Sequence, residues 1–96
     1  MFRDADVIEI YYDSNNSQGG LLGEKILKQM ILQTKANNRG VRSEDFAVTR
    51  ETKMPSVLIE LGYLSDIDER ARLMEDNYRD LLARGIADGI LAYLKE

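Results

Sequence analysis

Glu60 is the residue whose type and position most clearly suggest chemistry. It lies near the end of an apolar run that is typical of a buried strand, Met54-Pro55-Ser56-Val57-Leu58-Ile59-Glu60-Leu61. A carboxylate in such a place loses its water, and only a partner, a metal or a chemical role offsets that cost. Two interpretations follow from the residues alone: Glu60 forms a structural ion pair with Arg39 or Arg50, or it acts as a general acid and base.

The chain contains no histidine and no cysteine. Histidine is the commonest general base near neutral pH and the commonest metal ligand, and cysteine would be needed for thiolate metal sites. Any chemistry is therefore expected to depend on carboxylates. Glu9 alternates within a strand and reads as a solvated or paired face residue. The acidic group Asp66, Asp68 and Glu69 reads as a helix start rather than a calcium loop.

Composition indicates one soluble domain spanning residues 1–96. The chain is 44% apolar and 31% charged, with a formal net charge of -4 and both signs interspersed. No basic stripe is present for nucleic acid or an anionic membrane surface, so we expect neither partner. No apolar stretch approaches the roughly 18 residues of a membrane span, and the first residues do not resemble a signal peptide. The sequence predicts a soluble, unexported chain.

The elements that would position Glu60 are read from hydrophobic spacing. Strands are predicted at Val7–Tyr12, Asp45–Thr49 and Val57–Leu61, and helices at about Gly20–Lys35, Ser65–Glu75 and Asn77–Leu94. The polar segment 37–40 is expected to end the first helix. In the last helix Gly85 and Gly89 lie four residues apart on the apolar face, which predicts close approach to a sheet or another helix.

This order of elements predicts an α/β fold. We expect a partial three-layer sandwich: a mixed, mostly parallel sheet with helices on both faces, in which the strand before Glu60 is covered on both sides. In open sheets of this kind ligands gather at the carboxyl ends of the strands. The polar clusters 12–14 and 50–52 and Glu60 follow the three predicted strands. The sequence therefore predicts that these groups converge on one site.

Several motifs occur in order along the chain: Val7-Ile8-Glu9-Ile10-Tyr11-Tyr12, Asn38-Arg39-Gly40-Val41, Phe46-Ala47-Val48-Thr49-Arg50-Glu51-Thr52 and Met54-Pro55-Ser56-Val57-Leu58-Ile59-Glu60-Leu61-Gly62-Tyr63-Leu64-Ser65. Together with the closing helix they resemble the zinc-dependent N-acetylmuramoyl-L-alanine amidases. By this resemblance, Glu60 falls on the catalytic glutamate and Arg50 on an arginine bordering the active-site groove. Tyr12 and Tyr63 are further candidates for lining a groove that binds glycan and peptide.

The chain also departs from that family. Its members hold zinc with two histidines and one glutamate, which precede the strand that begins here at Val7. The resemblance implies that this chain corresponds to the C-terminal half of the catalytic domain. We therefore expect it to hold no zinc alone and to be an inactive or weak amidase unless ligands come from another chain.

Two functions of different classes remain open. The first is a peptidoglycan amidase that cuts the amide between N-acetylmuramic acid and L-alanine, acting in the cell wall or outside the cell. The second is a non-catalytic module that binds peptidoglycan or regulates an amidase. Expected partners are the stem peptide and glycan of peptidoglycan. Uncovered sheet edges also predict self-association or pairing with the missing half-domain.

Overall fold

A computed structural model describes residues 6–45, 53–62, 71 and 73–96. Three strands and two helices are formed there: β1 (Val7–Tyr12), α1 (Ser17–Thr34), β2 (Asn37–Ser43), β3 (Leu58–Glu60) and α2 (Asp76–Leu94). The strands form one sheet in the order β2-β1-β3. β1 pairs with β2 in parallel and with β3 in antiparallel orientation. The predicted α/β class and mixed sheet are confirmed, although parallel pairing does not predominate among these strands.

β1 is the central strand of the described sheet, and its alternation separates two faces. Ile8 and Ile10 are fully buried and join the core with Ile26 and Met30 of α1. The intervening residues Val7, Glu9 and Tyr11 are half-buried on the opposite face, as a period of two requires. One face of β1 therefore packs against the core, and the other carries the polar side chains of Glu9 and Tyr11.

α1 begins and ends with side-chain hydrogen bonds. Asn16 caps its first turn, because its Oδ1 accepts a hydrogen bond from the Gly19 N–H at 2.9 Å. At the other end the buried Thr34 hydroxyl donates to the Met30 carbonyl at 2.8 Å, and Lys35 adopts a left-handed conformation with φ of 61°. The helix thus starts a little before the predicted Gly20 and ends close to the predicted Lys35.

α2 packs directly against α1. Gly85 and Gly89 lie over the backbones of Met30 and Ile26, so the predicted close approach is confirmed and its partner is a helix. Polar links join the same two helices: Tyr93 donates to Gln18 Oε1 at 2.6 Å, and Lys25 pairs with Glu96 at 3.4 Å. In the described part of the chain, neither helix is long and apolar enough to cross a membrane.

Two predictions about the strands are corrected. Residues 37–40 do end α1, but Asn37–Ser43 also forms β2, which the polar composition concealed. β3 is not buried as a covered strand would be: Leu58 and Ile59 are half-buried and Glu60 is exposed. Ile59 packs toward the core, whereas Leu58 and Glu60 alternate onto the face opposite the described helices.

Other predicted elements lie beyond the described ranges. The strand expected at Asp45–Thr49 falls on residues 46–49 except for its first position, and the helix expected at Ser65–Glu75 falls mostly on residues 63–70 and 72. The helix expected on the second face of the sheet depends on the latter segment, so it stays a prediction.

Candidate active site

Glu60 lies at the end of β3 and is exposed. In the antiparallel pairing with β1 its register partner is Glu9, so the two carboxylates lie on the same face of neighbouring strands. None of the hydrogen bonds or ion pairs among the described residues involves Glu60. The expectation of a buried carboxylate is therefore wrong, and Glu60 is open to solvent and to a ligand.

Glu9 has two partners that fix its carboxylate. The Tyr11 hydroxyl donates to Glu9 Oε1 at 2.5 Å, and Arg42 Nε lies 3.0 Å from Glu9 Oε2. Only 12% of the Glu9 side chain is exposed, against 60% for Arg42. Glu9 was predicted to be a solvated or paired residue, and it proves to be paired.

The pKa of Tyr11 lies well above its ordinary value because of this arrangement. Its hydrogen bond to Glu9, followed by burial and the negative charges of Glu9 and Glu60, raises the pKa of Tyr11 from 10.0 to about 12, while Arg42 opposes the shift. The phenol therefore stays protonated and continues to donate to Glu9 across the neutral pH range. The negative charges of Glu9 and Glu60 therefore both act on the Tyr11 phenol.

A bulge in β2 brings Arg39 into the same region. The pairing runs from Ile8↔Asn38 to Ile10↔Val41, so Arg39 and Gly40 lie opposite the single residue Glu9. Gly40 has a positive φ of 91°, which suits an extra residue in a strand. Such bulges redirect side chains. Arg39 here borders a shallow depression together with Val7, Glu9, Glu60 and Gly62.

The predicted convergence of Tyr12 with Glu60 is wrong. Because β3 runs antiparallel to β1, its carboxyl end lies level with Glu9, whereas Tyr12 lies at the other end of β1 beyond the Tyr11↔Leu58 pair. Three residues of strand, about 10 Å, separate the two levels. The Tyr12 ring instead contacts the α1 backbone at Gly20, where an added Cβ would lie 3.0 Å from Tyr12 Cζ.

Arg50 and Tyr63 lie outside the described residues, so their roles stay predictions. The sequence interpretation missed Tyr11 and Arg42 as partners of Glu9. Alternation along β1 signals that Glu9 and Tyr11 share a face. No sequence signal gives the register that brings Arg42 of β2 beside them.

Another groove of the described surface lies elsewhere. It has a volume of about 420 Å³, is set between α1 and β2, and is lined by side chains including Leu27, Ile31 and Val41. Glu24 is the only carboxylate residue that lines it. Its other titratable residue is Lys28, and neither residue follows a strand end, so we place the candidate site at Glu60.

The residues do not form a zinc site of the two-histidine, one-glutamate kind. The sequence contains no histidine and no cysteine, and within residues 6–45, 53–62, 71 and 73–96 no three metal-ligating side chains come together. Glu9 and Glu60 supply at most two oxygen ligands, and Glu9 is already engaged by Arg42.

A protein-family model described as N-acetylmuramoyl-L-alanine amidase matches residues 3–92 of the chain. The chain is similar to the probable cell wall amidase LytH of Staphylococcus aureus, with 35% identity over 83 residues. That alignment covers 86% of this chain but 27% of LytH.

Solved structures show the same fold. An N-acetylmuramoyl-L-alanine amidase from Clostridium difficile 630 superposes with a TM-score of 0.89 at 33% identity, covering 98% of this chain and 51% of that one. The second structure is the catalytic domain of CwlV, an N-acetylmuramoyl-L-alanine amidase from Bacillus (Paenibacillus) polymyxa var. colistinus. It superposes with a TM-score of 0.82 at 39% identity, covering 94% of this chain and 49% of that one. The chain thus spans about half the length of these structures.

Proposed function

Because the chain belongs to the N-acetylmuramoyl-L-alanine amidase family, we propose that it serves in hydrolysis of the amide between N-acetylmuramic acid and L-alanine in peptidoglycan, with Glu60 as general base. The observation that carries this proposal is the position of Glu60. It is a solvent-open carboxylate at a strand end, beside a depression bordered by Arg39 and Gly62. Substrate can reach such a group, which a buried structural carboxylate would not allow.

The chemistry assigned to Glu60 is proton transfer. Its carboxylate takes a proton from the attacking water as the oxygen bonds to the amide carbon. It then returns that proton to the departing nitrogen as the C–N bond breaks, which restores the carboxylate. Arg39 borders the same depression.

A single general base supplies only part of the required acceleration. Positioned proton transfer contributes about 10²- to 10⁴-fold, whereas enzymes typically reach about 10⁶-fold or more. The family is generally zinc-dependent, yet the described residues do not fit a zinc site. We therefore assign no step to a metal, and we propose weak or no hydrolysis by this chain alone.

Peptidoglycan is the proposed substrate, and the cell wall is the proposed place of action. Both proposals draw on relatives whose names describe cell wall amidases. Glu60 itself is exposed at the end of β3, so a polymer strand can reach it from solvent. Arg50 and Tyr63 remain proposed contacts for the glycan and peptide.

Substitution of Glu60 by Gln tests the proposal. Gln keeps the size and hydrogen-bonding capacity of Glu60 but cannot take a proton, so release of new L-alanine amino ends from purified peptidoglycan should fall to background. The assay is run with and without added zinc. Glu24→Gln, an exposed carboxylate on α1 away from the site, is the matched control and should keep the wild-type rate. Hydrolysis that survives in Glu60→Gln would refute the role of Glu60.

A non-catalytic module is the second candidate. The lack of a metal-ligating group among the described residues favours it. In that case the wild-type chain should sediment with insoluble peptidoglycan without releasing amino ends, and Glu60→Gln should sediment equally well. Sedimentation that fails for both proteins would contradict this second function.

A further inference from the structure

The register of β1 and β3 places two carboxylates directly opposite each other. Glu9 and Glu60 are Cα partners in the antiparallel pair. Like charges in such a pair destabilise the sheet, because Cβ atoms of directly opposed residues lie only about 4.5–5.5 Å apart. A pairing that works against stability is expected where the charges serve another purpose.

The Glu9 and Glu60 carboxylates differ in how firmly neighbouring side chains hold them. Glu9 is held between the Tyr11 hydroxyl and the Arg42 guanidinium and is mostly buried. Glu60 is exposed, and no described residue binds it. Repulsion between the two therefore moves Glu60 and leaves Glu9 in place.

We propose that Glu9 is a positioning residue for Glu60: its fixed carboxylate, held by Tyr11 and Arg42, turns the Glu60 carboxylate away from Tyr11 and toward the depression beside Arg39 and Gly62. Repulsion disfavours the Glu60 rotamers that lie over Glu9. The depression that Glu60 lines with Arg39 and Gly62 lies on the side of the Glu9–Glu60 pair away from Tyr11. The catalytic consequence rests on the proposed function of Glu60, but the orientation does not.

Glu9→Gln isolates the charge of Glu9. Gln retains the side-chain length and an oxygen that accepts from Tyr11, whereas the negative charge is lost. Three-bond NMR couplings about χ1 and χ2 of Glu60 are expected to indicate one dominant rotamer in the wild-type chain and averaged rotamers in Glu9→Gln. Glu9→Asp, which keeps the charge, should retain part of the rotamer preference, and Glu24→Gln should retain all of it. Unchanged Glu60 couplings in Glu9→Gln would overturn the proposal.

A thermodynamic cycle provides a second readout that is independent of activity. Glu60→Gln should raise the urea midpoint of unfolding in the wild-type background, because it removes the repulsion, and should leave the midpoint unchanged in the Glu9→Gln background. Equal shifts in both backgrounds would show that Glu9 does not act on Glu60.

Activity then separates this inference from the proposed function. Where the wild-type chain hydrolyses peptidoglycan, Glu9→Gln should lower kcat by a few-fold with little change in KM, since a misplaced catalytic group costs rate rather than binding. A wild-type chain that releases no amino ends would favour the non-catalytic module over hydrolysis by this chain, while the couplings and the cycle would still decide whether Glu9 orients Glu60. An unchanged kcat in an active Glu9→Gln protein would overturn the positioning role.

Discussion

Glu9 and Glu60 face each other across one strand pair, but their surroundings differ. Glu9 is paired with Arg42 at 3.0 Å and bonded to Tyr11, whereas Glu60 is exposed. The Arg42 side chain is 60% exposed and that of Glu9 only 12%, so the pair is screened by solvent on one side, and its main effect here is to fix the position of a charge. The chemistry of the site therefore depends on a group that sequence inspection treats as a surface residue.

The phenol of Tyr11 gives a direct measure of this network. Glu9→Gln should lower the pKa of Tyr11 from about 12 toward its ordinary 10.0, because it removes the negative charge of Glu9 and replaces a charge-assisted hydrogen bond with a weaker neutral one. Glu60→Gln should lower it by less. An NMR titration of the Tyr11 ring carbons checks both. A Tyr11 pKa that stays near 12 in Glu9→Gln would contradict the hydrogen bond.

The same shift predicts a pH dependence of stability. The pKa of Tyr11 is raised in the folded chain, so between pH 10 and pH 12 the folded state binds more protons than the unfolded state. The stabilisation is fully present below pH 10 and is lost as the pH rises through about 12. Urea unfolding across this range should show a steeper alkaline loss in the wild-type chain than in Tyr11→Phe. Identical slopes would contradict the prediction.

The sequence selected Glu60 as the residue to test but misjudged its environment. A continuous apolar run predicts burial on both faces, yet alternation around Ile59 turns Leu58 and Glu60 outward. The partners of Glu9 depend on strand register and on the Arg39–Gly40 bulge. Register is set by long-range pairing, which local composition does not encode.

At the scale of elements, the start of α1 is tied to the segment that leads into β3. Asn16 caps α1 through Gly19, and its Nδ2 donates to the Met54 carbonyl at 2.8 Å. Asn16→Ala should therefore lower the free energy of unfolding by about 1 kcal/mol or more, since both a cap and a tertiary bond are lost. Urea unfolding measures this change. Asn15→Ala is the control and should have little effect, because the recorded bond of Asn15 uses its backbone N–H. Equal losses in both variants would contradict the role of Asn16.

The contact between α1 and α2 depends on missing side chains. A Cβ at Gly85 would lie 2.5 Å from Met30 Cα, which the fixed backbone of α1 cannot accommodate without movement. Gly85→Ala should therefore lower the free energy of unfolding by about 1–3 kcal/mol, although the same change at an open helix site would stabilise by about 0.5–1 kcal/mol. Thermal or urea unfolding measures whether the free energy of unfolding falls or rises in Gly85→Ala. Ala87→Ser, on the exposed face of α2, is the control. A stabilised Gly85→Ala protein would refute the close packing.

Helices were easier to predict than strands for a physical reason. The apolar spacing of α1 and α2 repeats over four or more turns, so the signal accumulates within each segment. β2 carries the polar sequence Asn-Asn-Arg-Gly-Val-Arg-Ser and becomes a strand because β1 offers hydrogen-bonding partners beside it. Tertiary pairing thus outweighs local preference there.

For the whole molecule, the remaining question is association. Leu91 and Leu94 near the end of α2 are 54% and 68% exposed, and Ile90 of the same turn is 40% exposed. Within the described sheet, β2 and β3 are the outer strands. Adjacent apolar side chains and outer strand edges both favour contact with another chain. The predicted self-association therefore has a structural basis on α2 as well as at the sheet.

Sedimentation velocity over a range of protein concentrations tests this prediction. The wild-type chain should shift toward a dimer as concentration rises, because association buries apolar surface at about 25 cal/mol per Å². Leu91→Lys combined with Leu94→Lys should shift the equilibrium toward monomer if α2 forms the contact. The helix is expected to survive, since both positions are exposed and lysine favours helix. Association that persists in this variant would place the contact at a strand edge, and a wild-type monomer at every concentration would refute self-association.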